Sequence, residues 1–240
     1  MVTPVGKNPL YELERDIKMC TRCPLAGYRT NAVPGVGSAN ASIFLIGEAP
    51  GQPEDREGEP FVGNAGRKLN EWLRAAGIDR GHIYISNLLK CRPEDNKFPE
   101  GARGSTPLPV EKCRPFLHEQ LKIVNPFVIL LAGKQALQHV LLPGTAEMAS
   151  PFEQWVGRVC RRRDLFGEAR IGVMFHPAYV LRSKNPREEA LCVQLLKTIK
   201  TYAAAKLLGE PAPLLDLHEI RPVAPPTFQQ KLRLFGEPNG

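Results

Sequence analysis

The chain reads as an α/β protein, a three-layer α/β/α sandwich around a central, mostly parallel four-stranded sheet. Three observations lead there. Short apolar runs of strand length, such as Ser42-Ile43-Phe44-Leu45-Ile46, alternate with longer segments of helical spacing. That first run has no polar alternation, as expected of a strand buried on both faces. Several of the runs end at a glycine, asparagine or histidine, at the strand ends where ligand sites of open α/β sheets gather.

Each element follows from local signals. Leu10 to Met19 is a short amphipathic helix running into Cys20, and Pro24 to Asn40 is loop, with Gly27, Gly35 and Gly37. Ser42 to Ile46 is the first strand. Ala65 to Ala76 is a helix with Leu69, Trp72 and Leu73 on one face and Gly77 as its stop. Ile83 to Leu88 is the second strand. The stretch from Pro93 to Pro109, broken by Pro99, Gly101, Gly104 and Pro107, is a loop. Val110 to Val124 returns to helical spacing, Phe127 to Leu131 is the third strand, and Lys134 to Leu141 is a helix after a glycine turn. Pro143 to Phe152 is another loop. Trp155 to Arg161 and Arg170 to Phe175 are strand candidates with a turn around Phe166-Gly167, and Glu188 to Leu208 is a long helix. Gly47, Asn87 and His176 all fall at strand ends in this pattern.

After Gly209 the pattern lapses. Pro211, Pro213, Pro222, Pro225 and Pro226 punctuate the chain, so 209–228 reads as a tether with little fixed structure. The expected organisation is one domain over 1–208 and a flexible, proline-rich tail over 209–240.

The 240 residues suffice for one α/β domain plus such a tail, and the apolar fraction of 42% is ordinary. The formal charge of +7 fits an anionic partner such as nucleic acid, and equally fits a merely basic soluble protein. No segment has signal-peptide character and no apolar run is long enough to span a bilayer. The expected setting is the cytoplasm, in association with the nucleoid, where thiols stay reduced and a metal site is favoured over a disulfide framework. Cys20 and Cys23 form a C-x-x-C, and Cys91 and Cys113 follow on either side of the long loop. Four soft thiolates of this kind suit zinc or an iron–sulfur centre, and spacing alone does not separate them. Cys160 and Cys192 lie in a strand and a helix and read as packing residues.

Five segments carry a resemblance. They are Gly47-Glu48-Ala49-Pro50-Gly51-Gln52-Pro53-Glu54-Asp55, Gly58-Glu59-Pro60-Phe61-Val62-Gly63-Asn64-Ala65-Gly66, Ser86-Asn87, Lys90-Cys91-Arg92-Pro93 and His176-Pro177-Ala178-Tyr179-Val180-Leu181-Arg182. In this order and spacing, over residues 10 to 205, they resemble the motifs of family 4 uracil-DNA glycosylases, the iron–sulfur class. The resemblance implies hydrolysis of the N-glycosidic bond of uracil in DNA, leaving an abasic site for base excision repair.

That chemistry needs a site that stacks the base, reads its edge, stabilises negative charge on it and supplies water. Phe61, in a polar loop, is the stacking candidate. Asn87 can accept from uracil N3–H and donate to O4, a pattern that cytosine reverses. His176 can donate to O2 as charge accumulates there. Glu48 is the candidate for positioning or activating water, although related families place an aspartate one residue further on, where this chain has Ala49. The resemblance further implies that Glu54 crowds uracil C5 against thymine's methyl group, and that Gly47 and Gly51 belong to the base pocket. Gly51, Gly63 and Gly66 permit close backbone approach to base or phosphate. Val180, Leu181 and Arg182 read as a loop tip that wedges into the DNA stack.

The resemblance also implies a [4Fe-4S] cluster on Cys20, Cys23, Cys91 and Cys113, with a structural role. A related branch carries a nucleophilic histidine in an insertion between the last two cysteines. Here Phe98 to Pro107 contains no histidine, which implies ordinary turnover; the chain is expected to act as a monomer. Two rival readings are a non-catalytic DNA-binding module of the same fold and a cluster- or zinc-bearing enzyme acting on a free nucleotide. Finally, Gln230 to Phe235, in Gln229-Gln230-Lys231-Leu232-Arg233-Leu234-Phe235, looks like the short peptides that dock on sliding clamps.

Overall fold

The computed structural model describes residues 9–100, 107–143 and 150–211, and the backbone of 217–219. The chain opens with helix α1 (Pro9–Met19), and the first strand, β1 (Ile43–Gly47), is buried along its whole length. Helices α2 (Gln52–Glu57) and α3 (Asn64–Ala76) follow, then β2 (Ile83–Asn87) and α4 (Leu108–Val124). Strand β3 (Val128–Ala132) leads into α5 (Lys134–Ala136), which continues as a π-helical turn to Leu141. Then come β4 (Val159–Arg161), α6 (Arg163–Phe166), β5 (Arg170–Met174), α7 (Pro177–Ser183), α8 (Pro186–Leu208) and β6 (Leu217–Glu219).

The sheet is wider than the four strands expected. Six strands run in the order β2-β1-β3-β5-β4-β6. The four strands β2, β1, β3 and β5 run parallel from one edge of the sheet inward, and β4 joins antiparallel to β5. The span from Trp155 yields a strand only at Val159–Arg161, because Trp155 to Gly157 lie in turns, closed by Trp155 N–H on the Phe152 carbonyl at 3.0 Å and Arg158 N–H on the Trp155 carbonyl at 3.1 Å. Strand β6 pairs parallel with β4, so the 209–228 segment is not a structureless tether throughout. The clamp-like Gln230–Phe235 lies outside the described residues.

Alternation along the strands sends side chains to two helical layers. Phe44, Ile46, Ile129 and Leu131 join a core with Leu117 of α4, while Ile43, Leu45 and Leu130 pack with Leu69 and Trp72 of α3 and Leu196 and Ile199 of α8. Cys160 and Cys192 are buried in these two cores, as packing residues should be.

Register decides where the chemistry collects. Gly47 pairs with Asn87 at the ends of β1 and β2, and Ala132 pairs with Met174 at the ends of β3 and β5. Four parallel strands therefore stop along one edge. The chain passes from β1 to β2 on one side and to β3 on the other, which makes the crevice above β1 and β3 a topological switch point.

Candidate active site

A cavity of about 770 Å³ opens at this edge. It is lined from four strand ends: Glu48 and Gly51 after β1, Asn87 closing β2, Gly133 and Lys134 after β3, and Phe175 and His176 after β5. Phe61, Glu54 and Arg182 are also part of the wall.

The Gly47-Glu48 backbone is held to the segment after β2. Leu88 N–H donates to the Gly47 carbonyl at 2.9 Å and Leu89 N–H to the Glu48 carbonyl at 3.0 Å. Gly47 itself is tight: a Cβ there would meet the Asn87 Oδ1 and lie 2.7 Å from the Phe61 ring. Only a hydrogen in place of a side chain lets the asparagine amide and the aromatic ring share this corner.

Phe61 is buried rather than exposed, yet its ring faces the cavity, 5.6 Å from the His176 ring and 29° off parallel to it. Its φ of 55° is rare for a bulky residue and has to be held from outside. Arg80 supplies one hold, donating to the Pro60 carbonyl at 2.9 Å and the Phe61 carbonyl at 3.4 Å. Gly66 supplies another, since a Cβ there would overlap the Phe61 carbonyl. Sequence reasoning missed Arg80; its contact spans about twenty residues and has no local signature.

Glu54 and Asp55 are both buried on α2, a helix absent from the sequence reading. The Glu54 carboxylate accepts from Val62 N–H at 3.0 Å and Gly63 N–H at 2.9 Å on one oxygen, and from Gly51 N–H at 3.1 Å on the other. It thus braces the loop carrying Phe61 against the Gly47–Gly51 turn. The Gly63 amide is spent in that brace and is not offered to a phosphate. Asp55 ties the same helix to Thr30 and Asn31.

Asn87 is 2% exposed, and its side-chain amide makes no hydrogen bond among the described residues. A buried amide open toward a cavity is left with hydrogen-bonding capacity that a ligand could use. His176 caps α7: its Nδ1 accepts from Ala178 N–H at 3.2 Å. The remaining proton is therefore on Nε2, the tautomer this bond selects. Burial, assisted by the nearby Arg182 guanidinium, pushes the imidazole pKa down to about 4. Burial pushes the Glu48 carboxyl pKa up, and Arg182 opposes it. One arginine thus lies near both groups.

The 180–182 segment is helix, not a loop tip. Val180 is 3% exposed and packs in the core, so it has no surface for a DNA wedge. The 3.6-residue period turns Leu181 outward, 37% exposed, and leaves Arg182 on the cavity wall.

The four predicted cysteines gather on the other side of β2. Cys20 and Cys23 follow α1, Cys91 comes four residues after Asn87, and Cys113 lies on the buried face of α4. Arg29 donates to the Cys91 sulfur at 3.0 Å and Arg22 to the Cys20 sulfur at 3.5 Å. Burial pushes the Cys113 thiol up to about 12, opposed by Lys90, while Cys91 and Cys23 push it further up. The Cys91 thiol is raised by burial as well, with contributions from Cys23 and Cys20. The sulfurs are near enough to sense one another. Among the described residues, no group of three or more His, Cys, Asp or Glu side chains forms a metal-holding set as it stands.

The sequence matches a known family. The model of the uracil DNA glycosylase superfamily matches residues 34–199. The chain belongs to that superfamily. The matched span holds Glu48, Phe61, Asn87, Cys91, Cys113 and His176, while Cys20 and Cys23 precede it. Among curated proteins, a type-4 uracil-DNA glycosylase of Archaeoglobus fulgidus is 39% identical over 180 residues, 75% of this chain and 87% of that protein. One of Thermotoga maritima is 35% identical over 190 residues, 78% and 90% of the two chains. One of Pyrobaculum aerophilum is 37% identical over 180 residues, 75% and 88%. These similarities make the chain a member of the type-4 uracil-DNA glycosylases.

Proposed function

We propose that this chain excises uracil from DNA by hydrolysing its N-glycosidic bond, leaving an abasic site. The observation that carries the reading is the corner at the strand ends, where the unpartnered Asn87 amide, the His176 Nε2–H and the Phe61 ring face one cavity. A uracil flipped from the stack lies against Phe61. Asn87 accepts from N3–H and donates to O4, so cytosine meets two mismatched groups. Gly47 and Gly51 allow the base to approach the backbone, and Glu54 with the loop it braces walls off C5, where thymine carries its methyl group.

As the C1′–N1 bond breaks, its electrons leave with the base and negative charge reaches O2. The neutral His176 donates there from Nε2, a preorganised hydrogen bond that strengthens with the developing charge. Water adds to the cationic sugar carbon and yields a proton to Glu48, whose raised pKa suits it to holding one. Leu181 and Arg182 on α7 meet the DNA beside the flipped nucleotide, and the +7 charge favours that partner.

Cys20, Cys23, Cys91 and Cys113 fit a [4Fe-4S] cluster by donor chemistry: four thiols, an apolar shell that includes Leu25 and Val110, and two arginines already donating to sulfur. Bound there, the cluster supplies a cross-link between the end of α1, the turn after β2 and α4. We also propose that Gln230–Phe235 docks on a sliding clamp, tested by calorimetry with a 225–240 peptide.

The deciding experiment is incubation with an oligonucleotide carrying one uracil, followed by alkali. Strand scission only after alkali, absent from cytosine and thymine controls, supports the reading. An intact strand, scission without alkali or a covalent protein–DNA adduct overturns it.

A further inference from the structure

Lys90 has no part in the chemistry above, yet it is among the least exposed side chains of the protein at 1%. Its Nζ lies 2.8 Å from the Asn87 carbonyl, 2.6 Å from Ser86 Oγ and 2.7 Å from Gln120 Oε1. Ser86 Oγ has its own acceptor, the Pro34 carbonyl at 2.7 Å. Three acceptors stand around one nitrogen, enough to take the three protons of a lysine head group. A methionine would fill the same volume without desolvating a charge, and a buried charge is costly unless every donor is satisfied. Here every donor is satisfied.

The place of these bonds in the sheet gives them a purpose. Strand β2 is an edge strand. Its outer side is covered at Ile85, which exchanges hydrogen bonds with Val36 at 2.8 and 2.9 Å. Two residues on, the backbone of Asn87 turns toward the same side by alternation. Lys90 Nζ donates to the Asn87 carbonyl there at 2.8 Å. Gln120, which accepts from Lys90 Nζ, is itself anchored by its donations to the Pro34 carbonyl at 2.8 Å and Tyr84 Oη at 3.1 Å.

We propose that Lys90 is a positioning residue for uracil recognition: by holding the Asn87 carbonyl at the open edge of β2 it fixes the peptide plane from which the Asn87 amide is aimed into the cavity. This rests on the reading of the cavity as a uracil site. Cys113 and Gln120 share the buried face of α4, and Cys91 adjoins Lys90 in sequence.

A double-mutant cycle on the full chain tests this. Lys90→Met, Asn87→Ala and the double variant are compared with the wild type in single-turnover excision at saturating and limiting enzyme. Lys90→Met should slow the saturated rate about 10–100-fold while the half-saturating concentration stays within about threefold, since only the reading of the flipped base is disturbed. In the Asn87→Ala background the same change should cost less than about twofold, because Lys90 acts through that side chain. Gln120→Leu, taken through the same cycle, repeats the test away from Cys91. Losses that multiply in both cycles overturn the proposal, as a merely structural residue acts whether or not residue 87 carries its amide. A wild-type chain inactive on uracil DNA would instead remove the reading of the site.

Discussion

Replacing His176 by Ala should slow excision about 10²–10³-fold, the cost of about 2.7–4 kcal/mol for losing one donor to an oxygen that gains charge in the transition state. The donor is Nε2–H because Nδ1 is committed to the Ala178 amide at 3.2 Å. The ring must stay neutral for this to hold, since a second proton on Nδ1 would face the Ala178 N–H and break the cap. With its pKa near 4, about 3% of the ring carries that second proton at pH 5.5, against about 90% at the ordinary value of 6.5. The depressed pKa also fixes the sign of the stability effect. The unfolded chain takes up the proton near pH 6.5 and the folded one does not, so the stabilisation is full above about 6.5 and is lost as the pH falls toward about 4. The assay is single-turnover excision with enzyme in excess, over a pH series, for wild type and His176→Ala. An acid limb present in both belongs to another group, Glu48 with its raised pKa being the first candidate. An acid limb near pH 6.5 in the wild type that vanishes in the variant would refute the neutral-donor argument. So would a variant within about threefold of the wild type.

Asn87→Asp should abolish the donation to O4 and leave a buried carboxylate beside the base, so uracil excision falls steeply while nonspecific DNA binding in a filter assay stays unchanged. Gly47→Ala forces a methyl against the Asn87 Oδ1 and within 2.7 Å of the Phe61 ring; activity should be lost, with a stability cost of about 1–3 kcal/mol by denaturant titration, the usual range for overpacking. The purified chain should be brown and contain iron and acid-labile sulfide in equal amounts, and Cys113→Ser should bleach it; stoichiometric zinc without iron from an anaerobic preparation would contradict this.

The sequence by itself determined the α/β alternation, because apolar runs such as Ile43–Ile46 and the spacing of Leu69, Trp72 and Leu73 are local signals. It also brought Glu48, Phe61, Asn87 and His176 into view as residues in motifs, at strand ends or beside them. Only the tertiary structure decided how they meet. The Gly47–Asn87 register, the left-handed backbone of Phe61 held by Arg80, and the tautomer of His176 all depend on partners distant in sequence or on the exact backbone path. The sheet's full width was not legible: β4 is three residues inside the longer candidate Trp155–Arg161, and β6, three residues among prolines, is too short for periodicity to register. Val180 was misplaced for another reason: two aliphatic residues beside Arg182 after His-Pro read as an exposed wedge, and only packing against the core turns one of the two inward. Lys90 shows the limit most clearly, since a lysine reads as surface until three acceptors from β2 and α4 are seen to enclose it.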